Sequence, residues 1–173
     1  DLPIKDKFLT PQGEISEPWR KWFNDVALKN YDDPGFGEGH ITILPWHYSG
    51  ITQGTWTLLT AAVVMYGYLV NSTAIQNDQV NYKVFLTAGT YTFSVMHEKS
   101  STRGILTLLI DEISVGTIDF YAAGQTFQNQ SAITGISVTT AGVKTLSIKA
   151  ATKNISSSAY GLVIQSMALF RTL

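Results

Sequence analysis

From residue 54 onward the chain alternates apolar and polar side chains in short runs, and a turn signal interrupts it about every eight to twelve residues. No helical period follows Val26. Runs of this length suit one strand each and are too short for a helix, so the pattern leaves antiparallel sheets as the economical solution. Residues 79–86 put Val80, Tyr82, Val84 and Leu86 on one face. After the Ala88-Gly89 turn, Tyr91, Phe93 and Val95 face in while Thr90, Thr92 and Ser94 face out. Residues 54–59 and 63–70 are the first predicted strands, and 98–103 is a polar loop. Residues 104–110 and 113–121 flank Asp111-Glu112 as a tight hairpin. Residues 132–140, 144–150 and 159–171 complete the set. The prediction is an all-β body over residues 41–173, an antiparallel jelly roll or β-sandwich of about eight strands.

Residues 1–40 are of another kind. They hold 13 of the 25 charged side chains, which leaves 12 for the remaining 133 residues. That is far below the one in four of an average domain. Within this arm Ser16 can cap a helix, Glu17 lies in its first turn and Pro18 is tolerated there. Trp19, Trp22, Phe23 and Val26 then follow at helical spacing, which predicts a short amphipathic helix over about residues 16–26. Such a helix is marginal alone in water, so its aromatic stripe must dock on the body or on a neighbour. Residues 31–39, with three glycines and a proline, read as a linker.

A formal charge of −1 provides no basic field for nucleic acid or anionic lipid. Without cysteine there is no disulfide, thiolate ligand or thiol nucleophile. The longest apolar stretch, residues 61–70, is too short to cross a bilayer as a helix, and residues 1–6 have no apolar signal-peptide core. A body so poor in charge is expected to cover its surface with uncharged polar residues and with copies of itself. No catalytic motif has the required spacing. Asp111 and Asp119 could form a glycosidase pair or help to hold calcium, but they read better as turn and strand-end residues. His47 and His97 have no ligand partner at metal spacing. Trp46, Tyr48, Trp56, Tyr66, Tyr68, Tyr121 and Tyr160 could stack on sugar rings or fill subunit interfaces. The sequons at Asn71, Asn129 and Asn154 read as chance matches.

Two stretches carry a resemblance. Leu2-Pro3-Ile4 and Gly13-Glu14-Ile15-Ser16, leading to Trp19-Arg20-Lys21-Trp22-Phe23, resemble the N-terminal segment of tailed-bacteriophage structural proteins. Residues 88–93, 104–107, 115–121, 142–148 and 154–160 are similar to the β-rich body of phage head-decoration proteins and fibre tips. At Asp111-Glu112 the chain departs from the Asp-Gly that a type I′ hairpin favours. The resemblance implies a trimeric, non-enzymatic jelly-roll knob, without a cofactor, on the capsid surface of a virion. Its partners would be itself and the major capsid protein, and its task would be to cement the shell. Trp19, Arg20, Lys21, Trp22 and Phe23 would then anchor it to the capsid, while Tyr160, Leu162, Ile164, Phe170 and Leu173 would form the trimer interface. The alternatives are a fibre-borne module that recognises host surface glycan and, third, a glycan depolymerase.

Overall fold

In the computed structural model, which describes residues 39–60 and 67–172, eleven strands form two antiparallel sheets. They are β1 (His40–Ile43), β2 (Gly50–Gln53), β3 (Trp56–Leu59), β4 (Tyr68–Asn71), β5 (Gln79–Leu86) and β6 (Gly89–Lys99). The remainder are β7 (Ile105–Ile110), β8 (Ile113–Asp119), β9 (Thr126–Val138), β10 (Gly142–Thr152) and β11 (Val163–Thr172). One sheet has the order β3-β4-β11-β6-β9, and β1 joins it by pairing with β11 beyond the end of β4. The other has the order β2-β5-β10-β7-β8. Among the described residues there is no helix.

Alternation builds the core. Tyr82, Leu146 and Ile110 form one cross-strand row of the five-stranded sheet, and Val80, Ile148 and Leu108 form the next. On the facing sheet Phe93 lies between Leu169 and Ile133, and Val95 pairs with Met167. All of these side chains are buried. Each contributes roughly 1.5–3 kcal/mol by leaving water, so the two rows of each sheet account for much of the cohesion. Tyr82 reaches the edge of the core and donates its hydroxyl to the Pro45 carbonyl at 2.6 Å. Burial pushes its phenol well above the usual range, so it remains a neutral donor.

The inward faces of β5 and β6 are those that alternation predicts. Three features differ. β1 and β2 are additional short strands, β9 begins at Thr126 rather than at residue 132, and β6 runs on through the predicted loop to Lys99. The hairpin after Ile110 is tight, with Ile110 paired to Ile113. Asp111 and Glu112 both have positive φ, 49° and 65°, so type I′ geometry is kept without a glycine.

The predicted trimer interface does not stand as drawn. Leu162 and Ile164 are fully buried in the core and present nothing to another subunit. The cause is a β-bulge between Ile164 and Ser166. The extra residue, Gln165, flips the alternation, so Ile164 points inward and Phe170, six residues on, points outward. Tyr160 is half-buried in the loop before β11, beneath the Lys153 ammonium at 5.5 Å. Leu173, the helix over residues 16–26 and the anchors Trp19, Arg20, Lys21, Trp22 and Phe23 lie outside the described residues.

Candidate functional site

The solvent face of the six-stranded sheet carries a trough of about 230 Å³. Strand register explains its shape. Outward residues fall into three cross-strand rows. The first is His40–Phe170–Thr92, the second Thr42–Ala168–Ser94–Ala132, and the third Ser166–Met96–Gln130. The middle row contains only small residues, whereas the outer rows carry an aromatic pair on one side and Met96 with Gln130 on the other. A small-residue row between two bulky ones makes a channel that crosses the strands from β1 to β9.

Its walls suit a ligand with both apolar and hydroxyl surfaces. The His40 and Phe170 rings stack with centroids 4.7 Å apart and planes within 3°. His40 therefore covers one face of Phe170. On the opposite side stands Thr92, too short to cover a ring, and Phe170 remains 37% exposed. His40 Nε2 lies 3.4 Å from the Thr42 hydroxyl. Gln130 Nε2 makes only a long contact to Ser94 Oγ, also 3.4 Å, so its amide is available to a ligand. Serine, threonine and glutamine side chains around an aromatic ring are a hydrogen-bonding frame with a stacking surface.

At the end of the sheet beside this face, Glu98 is buried and closed off. Its Oε1 accepts from Arg103 at 2.7 and 3.2 Å and from Gln125 Nε2 at 3.1 Å. His97, on the core side, stacks on Phe120 at 3.7 Å and lies 3.0 Å from the Ser131 hydroxyl. The Glu98 carbonyl can only accept, so it takes the Nδ1 proton, and Nε2 accepts from Ser131. This serine–histidine pair is not a hydrolytic dyad. The ring is wholly buried, burial pulls its pKa down to about 4, and no carboxylate orients it.

The carboxylates weighed from sequence are engaged in structure. Asp111 accepts from the Thr145 backbone N–H at 2.8 Å and pairs with Lys144 at 3.2 Å. Asp119 accepts from Tyr121 N and from Asn154 Nδ2. They lie at opposite ends of β8, about 20 Å apart at strand rise, too far for a glycosidase pair. Among the described residues no three His, Asp or Glu side chains converge as a metal site. The three sequon asparagines each donate their amide to an internal acceptor, and Asn71 is buried.

Of the aromatics weighed from sequence as a sugar platform, none that the structure describes lines the trough. Trp56 is buried, Trp46, Tyr68, Tyr121 and Tyr160 are half-buried, and Tyr48 is exposed elsewhere. Tyr66 lies outside the described residues. The aromatic that does line it, Phe170, was read from the sequence as part of a trimer interface and not as a sugar platform. His40 sat at the boundary of arm and body, with nothing in its neighbours to mark it.

Comparison with known protein families and with curated proteins returns no match. Solved structures do match. A Paenibacillus xanthan lyase shares 22% identity over 76% of this chain with a TM-score of 0.64, and this chain corresponds to only 13% of that enzyme. The CBM36-1 domain of a multidomain xylanase from the hindgut metagenome of Trinervitermes trinervoides matches 78% of this chain at 12% identity and a TM-score of 0.58, with 98% of the domain covered. The C-terminal CBM6 of the enzyme LamC from Zobellia galactanivorans matches 76% at 12% identity, with a TM-score of 0.54 and 99% of that chain covered. At such identities the likeness establishes the architecture. Residues 40–172 form an all-β, two-sheet antiparallel jelly roll.

Proposed function

We propose that the body is a non-catalytic glycan-binding module whose site is the trough on the six-stranded sheet. The trough carries the reading: an aromatic wall faces an amide wall across a floor of small hydroxyl and methyl side chains. Sugar rings have apolar C–H faces and a rim of hydroxyls. Phe170 offers ring surface to the first, and Gln130, Ser94, Ser166 and Thr42 offer donors and acceptors to the second. Solved carbohydrate-binding modules share the fold over nearly their whole length, which supports the same reading. Binding involves no bond breaking. It depends on shape and on hydrogen bonds made in a partly dried channel.

The decisive experiment is affinity electrophoresis of the full chain through gels containing polysaccharide. Phe170→Ala should clearly reduce retardation by a bound glycan while near-ultraviolet circular dichroism stays native, because Phe170 is a surface residue. Equal retardation of Phe170→Ala and wild type would move the site elsewhere.

The finer form of this reading, a fibre-borne module that meets host surface glycan, rests on the sequence resemblance to phage structural proteins. It calls for saturable binding to host cells in addition to binding in gels.

A further inference from the structure

The charge pattern around the trough is unlike that of the opposite face. We infer that the trough takes the interior of an uncharged polysaccharide, threaded across the strands from β1 to β9 and open at both ends; this deepens the glycan-binding reading above and rests on it.

Three observations carry it. First, among the described residues no lysine, arginine, aspartate or glutamate lines the trough. By alternation along β6, the outward residues after Thr92 and Ser94 are Met96 and Glu98, and Glu98 is buried and neutralised by Arg103. The opposite sheet differs. There Lys83 and Lys149 stand on the outward side of β5 and β10, and Glu112 bonds to Gln79 and Ser147. The absence of charge is thus a property of one face and not of the whole body. Uronate or sulfate groups are best held by cations that replace their water, and the described lining has no lysine or arginine to do so.

Second, among the described residues nothing closes either end. Among the described residues β1 pairs only with β11, and β9 pairs only with β6, so each end of the middle row meets a free strand edge. Thr42 marks one end and Ala132 the other, both exposed and both small. A site for a chain terminus would need a wall at one end.

Third, the dimensions fit. Four strands at sheet spacing give a length of about 14 Å, room for roughly two or three sugar rings in line. The bulky rows lie two residues either side of the floor, so a single chain fits between them.

The test uses the full chain in affinity gels containing galactomannan, mixed-linkage β-glucan or polygalacturonate. Three proteins are compared: wild type, Phe170→Ala, and Ala132→Tyr, which places a ring across the β9 end. Retardation by a neutral polymer is expected, unchanged between low and high salt. Phe170→Ala should lower affinity about tenfold, and Ala132→Tyr should weaken polymer binding by a similar factor. Retardation by polygalacturonate alone, or retardation quenched by salt, would overturn the inference and leave glycan binding standing. Full retention by Ala132→Tyr would overturn the threaded geometry. Retardation by none of the three polymers would overturn the glycan-binding reading itself and this inference with it.

Discussion

At the scale of single residues, one buried carboxylate organises an end of the sandwich. Asp78 Oδ2 accepts from Thr73 Oγ1 at 2.7 Å, from the Ile75 backbone N–H at 3.1 Å and from Asn71 Nδ2 at 3.3 Å. Asn71 also donates to the Tyr160 carbonyl and accepts from Leu162 N, which ties β4 to the loop before β11. Among the described residues Asp78 Oδ1 has no hydrogen-bond partner, and it packs against Gly54. A Cβ on Gly54 would lie 2.3 Å from that oxygen, and its φ of +84° disfavours any side chain. Gly54→Ala is expected to lower stability by about 2–3 kcal/mol, read as a shift in urea midpoint at unchanged slope. His97 gives a second prediction. Its pKa falls from 6.5 to about 4 on folding, so between those values the unfolded chain binds the extra proton. Stability should therefore fall as pH drops from 6.5 towards 4, by up to about 3 kcal/mol, and level off below. Urea titrations across that range should show the slope in wild type and its loss in His97→Gln.

At the scale of elements, the hairpin joining β7 and β8 shows what chemistry can replace glycine. Asp111 tolerates the left-handed region because its carboxylate is held by Thr145 N, with Lys144 beside it. The Thr145 N–H, with help from Lys144, keeps the Asp111 carboxyl below its usual range. A depressed acid stabilises the fold above its unfolded pKa and loses that effect as pH falls through the folded value. Asp111→Asn retains the turn preference and removes the charge. Its melting temperature should lie below wild type near neutral pH, and the gap should close in acid. Glu112 was legible as a turn residue but not as a type I′ one, because propensity alone favours glycine there. The alternation of β5 and β6 was legible for a simple reason: an uninterrupted ladder repeats every two residues. β11 was not, because a single extra residue at Gln165 reverses the faces, and no side chain in the run marks where the reversal occurs. The trough was hidden for a different reason. Its parts come from β1, β6, β9 and β11, strands far apart in the chain, and its floor is defined by how small Ser94 and Ala168 are.

At the scale of the whole molecule, the sandwich carries Lys83 and Lys149 on the outward side of one sheet and its uncharged channel on the other. A ligand that binds the folded body and not the unfolded chain must raise its melting temperature. At a hundredfold excess over Kd, a neutral polysaccharide should add about 2.7 kcal/mol, or roughly 10 °C, and tenfold weaker binding by Phe170→Ala should about halve the shift in scanning calorimetry. The position of β1 has a mechanical meaning. It is four residues long, it holds His40 against Phe170, and it is the first strand after residue 39. Tension applied at His40 reaches these few pairs before it reaches the core. Peeling β1 away would take the imidazole off the Phe170 ring and dismantle one bank of the channel. Under load the grip on a sugar chain should slip while the sandwich stays folded, and pulling from a handle attached at His40 in an optical trap should show a small extension before the main unfolding event.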